Sequence, residues 1–313
     1  MQVFYKLEDI SPDYGRTVVS VGNFDGVHRA HMQVLKAIVD RAKSSDAKAI
    51  AVCFEPHPTR VLRPDKQIKL ITPTAEKLRL LKLTGVHAVL LLPFTRDLSL
   101  MPPPEFAELT LHQGLHACEV HEGYNFRFGY KAEGDPSMLA SFGRKMDFEV
   151  KVHPEMMLRG QVVSSTQVRR LLAEGQVSRA RYLLGRAFSI TAQAAPGRGY
   201  GSKYTVPTIN LSEYRELVPR DGVYVTRTRV GEECFDSVTN VGNRPTFGED
   251  SFAIETHLLN FHPIELLPHS EIEVYFLSRL RDEIKFPSVE ALREQIGKDV
   301  HRAQRYFRPL VSG

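Results

Sequence analysis

The sequence lacks three features that would assign it to a class at once: clustered cysteines, a long apolar run and a marked excess of charge. Cys53, Cys118 and Cys234 are scattered and odd in number, which suits a reducing cytoplasm and makes no metal cluster. The longest apolar runs, such as residues 88–92, are far too short to span a bilayer. Residues 1–10 contain no apolar core followed by a cleavage-site pattern, so we expect no secretory signal.

The charge balance is mild, because 41 Lys and Arg against 37 Asp and Glu leave a net charge of +4. The basic residues are spread along the chain and are not interleaved with aromatics, so we expect neither nucleic acid nor a membrane as a partner. Nucleotides or acidic small molecules account for the balance equally well. With 313 residues, 42% of them hydrophobic, the chain favours two soluble domains, and a homo-oligomer stays one option.

The first half of the chain alternates β-branched runs with amphipathic segments. Four runs predict buried strands: residues 17–21, 48–54, 86–92 and 148–152. Helices are predicted at 32–42, between a cap at Thr74 and a stop at Gly85, and at 104–111. This alternation is typical of a doubly wound, Rossmann-like parallel sheet that helices cover on both faces. Ligands of such sheets bind above the carboxyl ends of the strands.

The pattern changes after predicted helices at 166–172 and 178–184. Short alternating runs follow at 188–192, 223–230, 235–241, 254–259 and 271–280, which predict an antiparallel β-barrel or sandwich, of which we favour the barrel. A terminal helix from about Ser288 carries an apolar stripe that should pack on the barrel: Val289, Leu292, Ile296, Val300, Ala303 and Phe307. The predicted fold is therefore α/β plus β, with domains 1–184 and 185–313.

Two histidines, His28 and His31, follow the first predicted strand through a turn of small residues that begins at Gly22 and includes Phe24. A strand–turn–helix of this kind directs backbone N–H groups and a positive helix end at whatever lies above the sheet, which favours an anion. The two imidazoles add donors for charge that develops on a phosphate. Metal ligation and simple helix capping are the alternatives, although no further ligands have the spacing of a zinc site.

A second candidate phosphate site combines Ser164 and Ser165 at a predicted helix start with Arg169 one turn later. Hydroxyls, helix N–H groups and a guanidinium can together bind phosphate oxygens. Taken alone, an ordinary Ser/Thr cap explains the segment better.

Two aromatic segments could line the same cleft. In residues 123–129, Asn125 and Arg127 lie among aromatics and could contact a ring and a phosphate, or the segment could be a strand whose Phe126 and Phe128 belong to the core. Residues 54–58, Phe-Glu-Pro-His-Pro, follow the second predicted strand and are placed to wall the cleft.

The second half contains a run of spaced glycines, Gly197, Gly199 and Gly201, followed by Thr208 and Asn210. Spaced glycines let a backbone approach phosphates closely. Thr208 and Asn210 are two apart on an extended chain, so they point the same way, and their oxygens could hold Mg²⁺ between nucleotide phosphates. The Walker spacing is absent, and a hairpin loop is the simpler explanation of this segment alone.

Glu255 and His257 share one face of a predicted strand, and Thr256 takes the other. A carboxylate in a cleft beside a hydroxyl substrate can act as a general base. An exposed strand pair explains these residues equally simply.

Taken together and in order, these segments resemble one family, the bacterial bifunctional riboflavin kinases/FMN adenylyltransferases, also called FAD synthetases. The resemblance runs from about residue 15 to about 307. It is carried by residues 22–31, 54–58, 125–129, 164–169, 207–210, 221–224, 245–247, 255–257 and 280–286.

The resemblance implies an adenylyltransferase in domain 1–184 and a riboflavin kinase in domain 185–313. In the kinase, Thr208 and Asn210 would hold Mg²⁺ and ATP, the loop of Gly197, Gly199 and Gly201 would cover phosphates, and Glu255 would take the proton of the riboflavin hydroxyl. In the adenylyltransferase, His28 and His31 would stabilise the α-phosphate of a second ATP while FMN attacks it. The implied ATP-binding residues there are Gly22, Phe24, Asn125, Ser164, Ser165 and Arg169.

The sequence departs from the family pattern at three places. Ala30 replaces the glycine that usually precedes the second histidine, residues 203–206 replace Leu-Gly-Phe before Pro207, and residues 266–268 replace Leu-Tyr-Gly. Because Thr208, Asn210 and Glu255 are intact, we expect both activities. The alternative is an FMN adenylyltransferase whose degenerate kinase domain only binds flavin.

Overall fold

The computed structural model describes residues 1–195, 208–243, 252–261 and 271–308. They divide into two compact units, Met1–Ser165 and Thr166–Gly313. Gly197, Gly199 and Gly201 lie outside the described residues, as do the departures at 203–206 and 266–268. None of the helices in the described ranges combines the length and apolarity that a membrane span requires.

The first unit is built on a six-stranded parallel sheet with the order β1-β4-β3-β2-β5-β6. Its strands are β1 (Gln2–Phe4), β2 (Thr17–Val21), β3 (Lys48–Glu55), β4 (Ala88–Pro93), β5 (Ala117–Gly123) and β6 (Glu149–His153). A short antiparallel pair, β7 (Met157–Leu158) and β8 (Gln161–Val162), follows. The order reverses between β2 and β5, and this switch point is where doubly wound sheets bind ligands.

Helices cover both faces of the sheet. The α-helices of this unit are α1 (Arg29–Ser44), α2 (Pro58–Leu62), α3 (Thr74–Leu83), α4 (Arg96–Leu100), α5 (Pro103–Glu105) and α6 (Pro136–Met146), and a π-helical segment at Phe106–Gly114 continues α5. Short 3₁₀ turns occur at Leu7–Asp9, Pro12–Tyr14 and Tyr130–Ala132. Neighbouring side chains of β2 enter different cores: Val18 packs with α1 and α3, and Val19 packs with α6 and the π-helical segment. The predicted doubly wound sheet is therefore confirmed.

Two strands of this sheet, β1 and β5, are absent from the sequence prediction. The strand β5 has no apolar run because Glu119, His121 and Glu122 are buried in it. Arg41 on α1 donates to Glu119 at 2.5 Å, and the His121 ring lies 2.8 Å from the same carboxylate. Burial acts to raise the pKa of Glu119, but these hydrogen bonds outweigh it and lower the pKa. A buried polar strand is stable here because its charges are paired.

The second unit is a closed antiparallel barrel with the order β10-β13-β12-β11-β14-β9. Its strands are β9 (Phe188–Ala195), β10 (Thr208–Leu211), β11 (Gly222–Val230), β12 (Glu233–Asn243), β13 (Phe252–Leu258) and β14 (Glu271–Arg281). Its helices are α7 (Ser165–Ala173), α8 (Val177–Leu184) and α9 (Val289–Phe307). The helix α7 begins at the last residue of the first unit. Of the two architectures that alternation allowed, the barrel is confirmed.

Five buried hydroxyls close a ring of hydrogen bonds inside the barrel. In order around the ring they belong to Thr226, Ser237, Thr228, Thr256 and Thr239, with oxygen–oxygen distances of 2.7 to 3.0 Å. Because each hydroxyl can donate one bond and accept another, the ring satisfies itself without water. It links β11, β12 and β13 side by side and so fixes the register of β13, the strand that carries Glu255, against its neighbours.

The apolar stripe of α9 packs on the barrel only in part. Ala303 is buried, and Val300 and Phe307 pack beside it, but Val289 and Ile296 are 46% and 40% exposed. The prediction that the whole stripe packs is therefore wrong for the described residues. A straight helix touches a curved barrel wall over a limited length, and the contact here begins near Asp299.

An ion pair between Arg281 on β14 and Asp299 fastens α9 to the barrel. The Arg281 Nε and a terminal nitrogen lie 2.9 and 2.8 Å from the Asp299 carboxylate, and Gln295 donates to its other oxygen at 3.0 Å. The aspartate side chain is 3% exposed. Removing one partner of such a pair leaves a buried charge without compensation.

We expect Asp299→Ala to lower the free energy of unfolding by about 3–5 kcal/mol, measured by urea denaturation followed by circular dichroism. Glu294→Gln is the matched control, because it breaks the exposed pair with Lys298 on the same helix and should change stability little. Equal losses in the two variants would show that the buried pair does not hold the helix.

Candidate active sites

The turn between β2 and α1 has an unusual backbone. Phe24, Gly26 and Val27 have φ angles of 45°, 83° and 36°. A β-branched residue at positive φ is strained and persists only where its surroundings enforce it. Contacts with the rest of the unit must therefore stabilise this conformation of the turn.

Hydrogen bonds to Asp25 stabilise the turn. Its carboxylate accepts hydrogen bonds from the Ile71 and Thr72 amides at 3.1 and 3.0 Å and lies 3.2 Å from the Thr72 hydroxyl. The Thr72 hydroxyl in turn accepts from the Gly26 amide at 3.0 Å, and the Ser165 hydroxyl donates to the Asp25 carbonyl at 2.8 Å. The role of Asp25 was not predicted from the sequence, although an aspartate in a glycine-rich turn is a known signal for such bonds.

The turn delivers the histidine pair to the start of α1. His28 is the N-cap, and its Nδ1 accepts the His31 amide hydrogen at 3.3 Å. Capping, one alternative to phosphate binding, is therefore present, but it is compatible with that role because it leaves the proton of a neutral His28 on Nε2. The two rings stack with centroids 3.5 Å apart. Within the described residues, no group of three or more His, Cys, Asp or Glu could hold a metal ion.

His31 is held uncharged beside its neighbour. Burial lowers its pKa well below the ordinary value, and the charges of His28 and Lys77 lower it further. At neutral pH its ring can donate an N–H to an anion without carrying charge itself. The positive potential of the site must come from the N-terminus of α1 and from other cations.

Two buried polar atoms at this turn lack a partner in the described part of the chain. They are Asn23 Oδ1 and His31 Nδ1. Buried polar groups are nearly always hydrogen-bonded, so orphaned ones call for a missing ligand or water. The role of Asn23 was likewise not predicted from the sequence.

Gly22 and Phe24 support the pair from the sheet side. The Gly22 amide donates to the Val52 carbonyl at 2.9 Å, and a Cβ at Gly22 would lie 3.3 Å from the Phe24 ring. That ring is buried and meets His31 edge-on at 5.2 Å. Ala30 lies inside the first turn of α1, where alanine is the best helix former.

The neighbouring strands bring two further predicted segments to the same edge of the sheet. Asn125 is exposed on the turn after β5, and Phe126 stacks on the buried Phe128 at 5.4 Å. The alternative interpretation of this segment was therefore right about the core phenylalanine Phe128 and wrong about a strand. After β3, the Glu55 carboxylate accepts from the Thr74 hydroxyl at 2.6 Å. Thr74 is thus not the cap of α3, a position that Pro73 takes.

The three residues of the second candidate phosphate site fall on either side of the division between the units. Ser164 and Ser165 are half-buried at the end of the first unit, and the Ser165 hydroxyl is the one that holds the Asp25 carbonyl. Arg169 lies one turn into α7, in the second unit.

In the second unit, strand register assembles the predicted kinase residues. Glu255 on β13 is paired with Asn210 on β10 and with Asn240 on β12, so the three side chains form one row across the sheet. Thr208 pairs with His257 in the next row. As predicted, Glu255 and His257 share a face, and Thr256 points into the barrel.

Three residues of this face had no assigned role in the sequence. The His257 Nδ1 lies 3.3 Å from the Thr208 hydroxyl, its Nε2 is buried without a partner in the described residues, and burial lowers its pKa. The Asn240 amide lies 3.4 Å from the Glu283 carboxylate, which approaches because Gly242 has no Cβ. Only strand pairing, which a single sequence does not give, could have found this set.

Comparison with known proteins matches a different family model to each half of the chain. The family model for FAD synthetase matches residues 10–167, and the model for riboflavin kinase matches residues 184–307. A bifunctional riboflavin kinase/FMN adenylyltransferase of Pseudomonas fluorescens is 33% identical over 99% of both chains. Its counterpart in Escherichia coli strain K12 is 32% identical over 93% of this chain and 92% of its own. A Streptococcus pneumoniae crystal structure described as a macrolide-efflux protein has a TM-score of 0.86 and 26% identity, covering 96% of this chain and 98% of its own.

The buried Glu122 lies beneath the turn after β2 and yields a prediction about pH. Its carboxylate accepts from the Val21 amide at 2.7 Å, and burial raises its pKa well above the ordinary 4.5. Because the folded state holds the proton more tightly, this contribution to stability is complete below about pH 4.5 and is lost as the pH rises towards the folded pKa.

We therefore expect Glu122→Gln to raise Tm relative to the parent at pH 7 and to lose this advantage near pH 4, measured by thermal denaturation across that range. Glutamine keeps an acceptor for the Val21 amide. The exposed Glu105→Gln provides the control, since its Tm difference should stay small and flat. A Glu122→Gln variant that melts lower than the parent at neutral pH would contradict the argument.

Proposed function

Because the chain belongs to the bifunctional riboflavin kinase/FMN adenylyltransferase family, we propose a residue-level division of its two activities. The enzyme transfers the γ-phosphoryl group of ATP to riboflavin, giving FMN, and then adenylylates FMN with a second ATP, giving FAD and pyrophosphate. A riboflavin kinase model matches the whole barrel region, which favours this function over a chain with adenylyl transfer alone. We place the functional boundary near residue 184, where that match begins.

Adenylyl transfer is assigned to the turn after β2. An oxygen of the FMN phosphate attacks the α-phosphorus of ATP, a new P–O bond forms, and the bond to the leaving pyrophosphate breaks. His28 and His31 donate hydrogen bonds to the α-phosphate oxygens as their charge grows, aided by the N-terminus of α1. The stacked imidazole pair, in which His31 is uncharged and its Nδ1 and the nearby Asn23 Oδ1 are buried without a partner in the described residues, is the observation that carries this assignment.

Around that pair, the proposed ATP-binding residues have distinct tasks. Gly22 and Phe24 hold the pair in place, Asn125 contacts the nucleotide from the turn after β5, and Ser164 binds phosphate oxygens. Arg169, which belongs to the second unit, keeps the ATP-binding role that the family resemblance implies. Ser165 secures the turn through the Asp25 carbonyl. Positioning and charge stabilisation carry most of the rate in such phosphorus transfers.

Phosphorylation of riboflavin is assigned to the row on the barrel. Glu255 takes the proton of the ribityl 5′-hydroxyl as its oxygen attacks the γ-phosphorus, and Thr208 and Asn210 orient the phosphates. Hydroxyl, amide and carboxylate oxygens on adjacent strands form the hard donor set that Mg²⁺ prefers, and the ion would neutralise phosphate charge. The glycines at 197, 199 and 201 are proposed to cover the phosphates. We further propose that the enzyme works in the cytoplasm with small-molecule partners only.

We expect His28→Ala and His31→Ala each to lower the rate of FAD formation from FMN by about 10²–10³-fold, because a donor to the transition state is lost. FMN formation from riboflavin by the same protein should be unchanged, since it uses the other unit. Chromatographic separation of the flavins measures both, with His112→Ala as the control. Loss of both activities, or of neither, would argue against separate sites.

We expect Glu255→Gln to lower FMN formation by about 10²–10⁴-fold, as loss of a general base does, while FAD formation from supplied FMN continues. The exposed Glu232→Gln in the same barrel is the matched control and should keep both activities. Near-normal phosphorylation of riboflavin by Glu255→Gln would remove it as the base.

A further inference from the structure

Lys77 is a cationic residue with a buried side chain, and neither proposed site includes it. It lies in α3, its side chain is 1% exposed, and it shares the buried stripe of that helix with Leu80 and Leu81. Its ammonium forms no hydrogen bond or ion pair with another described residue, and its nitrogen is not among the fully buried polar atoms that lack a partner, so the ammonium end reaches accessible space.

The acids nearest along the chain are already engaged elsewhere. Glu76 binds Arg79 through two hydrogen bonds of 2.6 and 2.8 Å, and Glu55 accepts the Thr74 hydroxyl. A cationic side chain that is almost wholly buried without a counter-charge is costly to fold around. A bound anion would supply the missing charge.

The position of Lys77 identifies the site that this anion would occupy. Its charge acts on two groups, the His31 imidazole and the Cys53 thiol on β3, whose pKa burial raises to about 12 while Lys77 opposes that rise. The chain enters α3 directly after Ile71 and Thr72, which Asp25 holds against the turn that presents the histidines. Lys77 therefore approaches the imidazole pair from a second element that is fastened to the same turn.

A cation here would complement the histidines. His31 is kept uncharged, so its ring offers a donor but no positive charge to the several negative charges of a triphosphate. We propose that the Lys77 ammonium binds phosphate oxygens of ATP beside His31 and neutralises charge during adenylyl transfer. This inference rests on the function proposed for the first unit.

The test compares Lys77→Met, Lys77→Arg and the matched control Lys82→Met, which alters an exposed lysine of the same helix. We expect Lys77→Met to lower kcat/KM for ATP in FAD formation by about 100-fold or more, and Lys77→Arg to retain at least about tenfold more of it because the charge remains. Lys82→Met should match the parent. FMN formation should stay within about twofold in every variant, since it does not use this site.

Two measurements separate this role from a structural one. In the reverse reaction, FAD with inorganic pyrophosphate, Lys77→Met should lose about 100-fold in kcat/KM for pyrophosphate, a readout confined to the adenylyl-transfer site. Its Tm should equal or exceed that of the parent, because an uncompensated buried charge is removed. FAD formation within about threefold of the parent, or equal losses in Lys77→Met and Lys77→Arg, would overturn the proposal.

FAD formation by the His28→Ala variant tests the proposed function independently of Lys77. If that variant loses FAD formation while Lys77→Met keeps it, the site stands and the role of Lys77 falls. If His28→Ala keeps FAD formation, the assignment of the site itself fails, whatever Lys77→Met does.

Discussion

The first site depends on the carboxylate of Asp25. Phe24 and Val27 adopt positive φ angles that an isolated chain would abandon, and Asp25 binds the backbone of Ile71 and Thr72 on the facing loop. Because the same turn presents both imidazoles and the same loop leads into α3, one buried hydrogen-bond cluster sets the spacing of donors and cation together. The strained turn persists because several hydrogen bonds of this cluster fix the same backbone conformation.

The buried polar groups of the first unit are satisfied in three different ways. Glu119 stays charged because Arg41 and His121 pair with it, whereas burial raises the pKa of Glu122 and so favours its neutral form. His31 is kept neutral by burial and by adjacent positive charge. Each solution lowers the cost of burial.

Sequence patterns predicted what depends on local chain order. The strand β2, the histidine pair at the start of α1 and the alternating barrel strands follow from periodicity and from turn residues, and the ordered motifs indicated both activities. The strand β5 escaped prediction because its buried charges are compensated by a helix 78 residues away. The row of Asn210, Glu255 and Asn240 depends on strand pairing, and the burial of Lys77 depends on tertiary packing. A single sequence shows neither of these.

The two units meet the same chemical demand, stabilising charge on a phosphate, with different materials. On the barrel, strand register aligns hydroxyl, amide and carboxylate groups, which could bind phosphate through their O–H and N–H groups and could hold a divalent cation through their oxygens. At the turn after β2 the available donors are N–H groups and a helix end, which suit phosphate oxygens. A protein cation beside them would add the positive charge that neutral donors lack. A lysine buried without a carboxylate partner is the arrangement that this demand favours, because a partner would cancel the charge that the substrate requires.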